Sequence, residues 1–158
     1  MPIPGLTPAG VLPPGVYDCT LAEIKQVFAS AGATAHRRDI YDALLSCFGE
    51  PQLADFVEHA LVDGSFVTNK VDPRDVDVVF GLRAGALGRL NAAMKTSGWP
   101  LMFVALLKGG TTPIVRGCHL VHGFPVPIGS LPYHVLLDQF QHERDGVTIK
   151  GILRVRVQ

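Results

Sequence analysis

Apolar positions recur with a helical period early in the chain and with a strand period later. Thr20-Leu21-Ala22-Glu23 has the form of a capping box, which predicts a helix from Thr20 to about Ala29. Ile40, Tyr41, Leu44, Leu45 and Phe48 share one helical face, so a second helix is expected over Ala35–Phe48, stopped by Gly49-Glu50-Pro51. The run from Phe56 to Val62 is apolar and β-branched and predicts a strand, turned by Asp63-Gly64-Ser65. Phe66-Val67-Thr68 fits a continuation of that strand or the start of a helix. Val76–Phe80 predicts a strand, Ala84–Lys95 a helix weakened by Gly85 and Gly88, and Ile114–Val126 another strand. Pro132–Phe140 predicts a helix with proline in its first turn, and Val147–Val157 a final strand. The short apolar run Leu101–Leu107 fits either element. The sum is an α+β fold, a small mixed sheet flanked by helices.

Residues 1–16 stand apart. Five prolines and three glycines within them predict an irregular arm, leaving 17–158 as a single domain. Three widely spaced cysteines without a CxxC pair give neither a disulfide framework nor a zinc knuckle. Cys118, His119 and His122 lack an evident fourth ligand. No signal peptide and no membrane-length apolar run is visible, so a soluble, cytoplasmic protein is expected.

The formal charge is zero, with 14 basic and 14 acidic residues. The zero conceals a division. Up to Val79 there are 5 Lys or Arg against 11 Asp or Glu, a balance of −6; beyond it there are 9 against 3, a balance of +6. No acidic residue lies between Asp77 and Asp138.

The candidate chemistry lies at that seam. Asp75-Val76-Asp77-Val78 places two carboxylates on one side of a strand, an oxygen-lined site suited to Mg2+. Upstream, the Gly64-Ser65 turn brings backbone amides and a hydroxyl toward a ligand with no Cβ at the glycine. Lys70, between turn and aspartates, is within reach of a phosphate or is a solvated loop lysine. Arg37 and Arg38, at a helix start where the dipole disfavours cations, read as a solvated face ahead of a partner or phosphate contact. Lys150-Gly151 is unusual in a strand and suggests close approach of a ligand or another backbone.

A Gly-Ser turn followed by an Asp-hydrophobic-Asp-hydrophobic strand resembles the signature of the DNA polymerase β-like nucleotidyltransferase superfamily, which includes minimal members found in bacterial toxin–antitoxin pairs. That motif covers residues 62–79. The wider wording, from Leu12-Pro13-Pro14-Gly15 through Phe124-Pro125-Val126-Pro127 to Lys150-Gly151-Ile152, resembles an uncharacterised bacterial family of such proteins. The resemblance implies a nucleotidyltransferase-like fold and a nucleoside triphosphate bound with Mg2+ (or Mn2+). A nucleotidyl group would pass to a hydroxyl on a protein or RNA acceptor. Gly64 and Ser65 would hold the β- and γ-phosphates, assisted by Lys70, and Asp75 and Asp77 would bind the metal and carry catalysis. The superfamily usually supplies a third carboxylate from a later strand. Here Ile114–Val126 has none; His119 and His122 are the nearest polar residues, and Asp138 is the next carboxylate. The alternative is a catalytically inactive nucleotide-binding or interaction module, such as an antitoxin-like partner.

Overall fold

The computed structural model describes residues 3–50, 53–93, 113–115 and 118–158. The expectations for Leu101–Leu107 and for the end of the Ala84–Lys95 helix fall outside these residues. In chain order the elements are β1 (Gly15–Cys19), α1 (Leu21–Phe28), α2 (Ala35–Phe48), α3 (Leu53–Phe56), β2 (Val57–Asp63) and a 3-10 turn (Ser65–Val67). They continue with β3 (Val76–Leu82), α4 (Ala86–Ala93), β4 (Pro113–Val115), β5 (Cys118–Pro127), α5 (Leu131–Phe140) and β6 (Gly151–Arg156).

Among the described residues the strands form one mixed six-stranded sheet in the order β1-β6-β2-β3-β5-β4. β1 runs parallel to β6, and β3 parallel to β5; β2 is antiparallel to both β3 and β6. The register decides what each face carries. Val62, Val78, Phe80, Leu153 and Val155 point to one face, where they meet Ile24 and Phe28 of α1 and Ile40, Tyr41 and Leu44 of α2 in the larger core. Leu61, Val79 and Ile152 point to the other face and meet Tyr133, Leu136, Leu137 and Phe140 of α5. Central strands covered on both faces carry nearly continuous apolar runs, as β2 and β3 do.

Local chemistry sets the helix starts. Thr20 and Glu23 form the expected capping box at α1, while Thr34 caps α2 and Ser130 caps α5. The expected strand over Ile114–Val126 is divided into antiparallel β4 and β5, a pairing that periodicity along one segment does not reveal. The final strand starts at Gly151, later than expected, because residues 143–148 form an Asp145-centred turn.

The proline-rich segment is laid down on the domain. Leu12 is fully buried, and Ile3 and Leu6 pack against the larger core. The Gly151 amide donates to the Leu12 carbonyl at 2.9 Å, and the Tyr17 hydroxyl donates to the Pro13 carbonyl at 2.9 Å. The close approach that Lys150-Gly151 suggested is therefore made by another part of the backbone. A Cβ at Gly151 would collide with the Pro13 carbonyl and the Tyr17 ring.

Candidate functional site

The site lies at one end of the α5-covered sheet face, where the strand register gathers polar residues from four segments. Asp63 ends β2 and pairs in the ladder with Asp77 on β3. Asp77 pairs on its other side with His122 of β5. Asp75 precedes β3 by one residue, so it and Asp77 lie on the same side of the extended chain. Lys150 enters from the start of β6. Together with Gly64, Ser65 and Lys70, these residues line a single cleft of about 560 Å³. Phe124, Leu136 and Phe140 make its apolar wall, and the Phe124 and Phe140 rings meet edge-on with centroids 6.1 Å apart.

All five residues singled out from sequence thus reach the same cleft: Gly64, Ser65, Lys70, Asp75 and Asp77. Gly64 has φ +83°, and a Cβ there would lie 2.5 Å from Oδ2 of Asp77. Both the turn conformation and the nearness of the aspartate call for glycine. After it, Ser65–Val67 forms the short 3-10 turn, so Phe66-Val67 does not continue the strand.

Arg37 corrects the expectation of a solvated face. It is buried, with 7% of its surface exposed. Its guanidinium donates to the carbonyls of Phe28 at 3.2 Å, Phe66 at 2.8 Å, Thr68 at 2.7 Å and Lys70 at 2.5 Å. One side chain from α2 therefore ties down the loop that leads from the Gly64-Ser65 turn to Lys70. Five donors in a planar fork suit this cluster of carbonyls as an ammonium would not.

The carboxylates of the cleft differ in what balances their charge. Burial raises the Asp77 carboxyl above its ordinary value, the nearby Asp75 charge raises it further, and the hydrogen bond with His122 opposes both. Burial also raises Asp63, whose two oxygens each lie 2.9 Å from the Lys150 ammonium that holds it back. Lys150 further approaches Glu143 at 3.6 Å. Asp63 is thus matched by a buried lysine, whereas Asp75 and Asp77 face the cleft as a like-charged pair.

Among the described residues no group of three or more His, Cys, Asp or Glu forms a metal site made of protein alone. Two partly exposed carboxylates in an open cleft fit a divalent ion that keeps water and phosphate oxygens in its shell.

The rim of the cleft is a tight loop. Asp145 accepts from the Val147 amide at 2.9 Å and the Thr148 amide at 2.8 Å, and its other oxygen accepts from the Thr148 hydroxyl at 2.6 Å. These bonds lower its carboxyl to about 2, and Gly146 has a positive φ of 68°. The loop carries Arg144 into the cleft lining.

From the sequence Asp63 reads only as a turn residue, and neither the partner of Lys150 nor that of Arg37 is visible there. The only local signal was the Asp63-Gly64-Ser65 wording and the oddity of Lys150-Gly151; the pairing of residues 87 positions apart is a property of the sheet.

A family model matches residues 4–156. The chain belongs to DUF6932, a family of unknown function. No curated protein and no solved structure matches it. The match runs from the proline-rich segment through β6, so segment and sheet belong to one family unit. Among the described residues, no helix of this DUF6932 member is long and apolar enough to cross a membrane.

Proposed function

We propose that the cleft binds a nucleoside triphosphate with Mg2+ (or Mn2+) and transfers its nucleotidyl group to a hydroxyl on a protein or RNA acceptor. The observation that carries this reading is the convergence of the Asp75/Asp77 pair with the Gly64-Ser65 turn in one cleft that also holds Lys70 and Arg144. The nucleotidyltransferase resemblance of residues 62–79 supplies the reaction class.

In this reading Asp75 and Asp77 hold the cation. When bound, the cation neutralises charge on the triphosphate and on the leaving pyrophosphate. The Gly64-Ser65 turn receives the terminal phosphates, and Lys70 and Arg144 flank them with positive charge. The acceptor oxygen forms a new bond to the α-phosphorus, the bond from that phosphorus to the bridging oxygen breaks, and pyrophosphate leaves. His122 is the polar residue that β5, the strand expected to supply a third carboxylate, sets beside Asp77. With Nδ1–H turned to Asp77, 3.2 Å away, its Nε2 is the atom that takes the acceptor's proton.

The lack of any carboxylate in β5 favours the second reading, an inactive nucleotide-binding partner protein, because the strand then supplies no carboxylate base. One experiment separates the two. Thermal stability is followed with ATP, GTP, CTP or UTP and Mg2+, for the native chain and for Asp77→Ala, and labelled nucleotide is offered with a cell lysate. Stabilisation that Asp77→Ala abolishes, together with label on an acceptor, supports the transferase. Stabilisation without label supports the inactive module. Failure of every nucleotide to bind overturns both.

A further inference from the structure

Three aspartates reach the same end of one sheet face, yet only Asp63 is held by a lysine, while Asp75 and Asp77 are turned over to the cleft, Asp77 with the His122 ring beside it. Asp63 lies directly across the ladder from Asp77, and its two oxygens are both held by Lys150 at 2.9 Å. Each member of this pair is more than nine-tenths buried.

The position of Lys150 is fixed from both directions. Its own amide donates to the Gln141 carbonyl at 2.8 Å, and the amide of Gly151 donates to the Leu12 carbonyl at 2.9 Å. Gly151 has no room for a side chain against Pro13 and Tyr17. The proline-rich segment and the cleft rim thus hold the backbone that aims this ammonium.

We propose that Lys150 is a positioning residue that withholds Asp63 from the cation, so that the site offers two carboxylates instead of three. This rests on the reading of Asp75 and Asp77 as the cation pair. Divalent-ion affinity rises with the number and charge of the carboxylates that reach the ion. A two-carboxylate site binds the free ion weakly and reaches full affinity only when phosphate oxygens complete the shell. The ion then arrives and leaves with the nucleotide. With Lys150 replaced by an uncharged side chain, both Asp63 oxygens lose the partner that occupies them, and Asp63, directly across the ladder from Asp77, is free to turn toward the ion, whose charge favours the ionised carboxylate.

The test is Mn2+ binding in the absence of nucleotide, followed by the electron paramagnetic resonance signal of the free ion. Lys150→Met is expected to bind Mn2+ about tenfold or more tightly than the native chain. Adding Asp63→Asn to Lys150→Met is expected to erase the gain. Lys150→Gln keeps a hydrogen bond to Asp63, should show a smaller gain, and carries the test if the methionine variant does not fold. A purely structural lysine would give the opposite sign, since its loss loosens the site. Unchanged or weaker Mn2+ binding in the Lys150 variants overturns the proposal, as does a gain that persists without Asp63. These readings need no nucleotide. A native chain that binds no triphosphate overturns the proposed function while the Mn2+ comparison still stands, and a native chain that binds Mn2+ with ATP alongside unresponsive Lys150 variants overturns this inference alone.

Discussion

His122 Nδ1 stands 3.2 Å from Oδ1 of Asp77, across a parallel ladder that joins β5 to β3. An imidazole in this position orients the carboxylate and restrains its rotation. Groups that hold a metal-binding carboxylate in this way typically contribute tenfold to a hundredfold in affinity or activity. His122→Ala is therefore expected to weaken Mg2+-dependent nucleotide binding by about tenfold or more, measured by calorimetry with and without the metal. His122→Asp is expected to act in the opposite sense on the free ion, tightening Mn2+ binding by adding a carboxylate next to Asp77. A variant that binds Mn2+ no better than the native chain would show that this rung does not face the cation.

Metal affinity should depend on pH, and the sign follows from Asp77. Its carboxyl is raised from the ordinary 3.8 by burial and by Asp75. A protonated carboxyl does not ligate, so affinity is full above the raised value and lost as pH falls through it. The loss should begin at higher pH than for an exposed aspartate. The stability of the metal-free protein moves the other way. Ionising a carboxyl whose folded value is raised costs stability as pH rises from the ordinary value through the raised one. Asp63, raised to about 7, adds a decline of its own, so Mg2+ should remove only the part that Asp77 contributes. Thermal melts across pH 4 to 8, with and without Mg2+, measure both trends; parallel curves would count against a cation at Asp77.

Gly64→Ala places a methyl group where Oδ2 of Asp77 now lies 2.5 Å from the Cβ position, at a backbone φ of +83°. The conformation alone costs on the order of 1–3 kcal/mol in a residue with a side chain. Asp77 must also move. Lower thermal stability and loss of Mn2+ binding are both expected, whereas Gly85→Ala, also at positive φ but with open space around it, should affect stability only.

The parts of this molecule legible in its sequence are those governed by neighbours along the chain. The capping box at Thr20, the helical face of α2, and the shared direction of Asp75 and Asp77 follow from periods of 3.6 and 2. What escaped depends on partners far away. β1 is only five residues long, follows two prolines, and is defined by its parallel pairing with β6. Asp63 reads as a turn residue until the ladder sets it opposite Asp77 and Lys150 reaches it. Arg37 looks like a surface cation, and only the fold brings four carbonyls around it. The −6 and +6 halves of the chain likewise meet in the cleft, where β3 carries Asp77 and β6 begins beside Lys150.

Arg37 offers the sharpest test of how the Gly64-Ser65 turn is held. Its guanidinium is buried against the Phe66 ring, with its carbon 5.5 Å from the ring centroid, and it satisfies carbonyls at Phe28, Phe66, Thr68 and Lys70. Removing it strands several of those carbonyls without a donor, and each buried unsatisfied group costs about 1–3 kcal/mol. Partial access of water to the Thr68 and Lys70 carbonyls limits the sum. Arg37→Ala is thus expected to lower stability by about 3–5 kcal/mol, read from urea denaturation. Arg37→Lys keeps the charge but loses the planar fork, so it should recover only a minor part. The loop from Phe66 to Lys70 begins directly after the Gly64-Ser65 turn. If that turn receives phosphates, Arg37→Lys should weaken nucleotide binding even at temperatures where it is fully folded, while nucleotide-free Mn2+ binding at Asp75 and Asp77 changes little. Equal loss of both would mean that Arg37 supports the domain as a whole and not the turn.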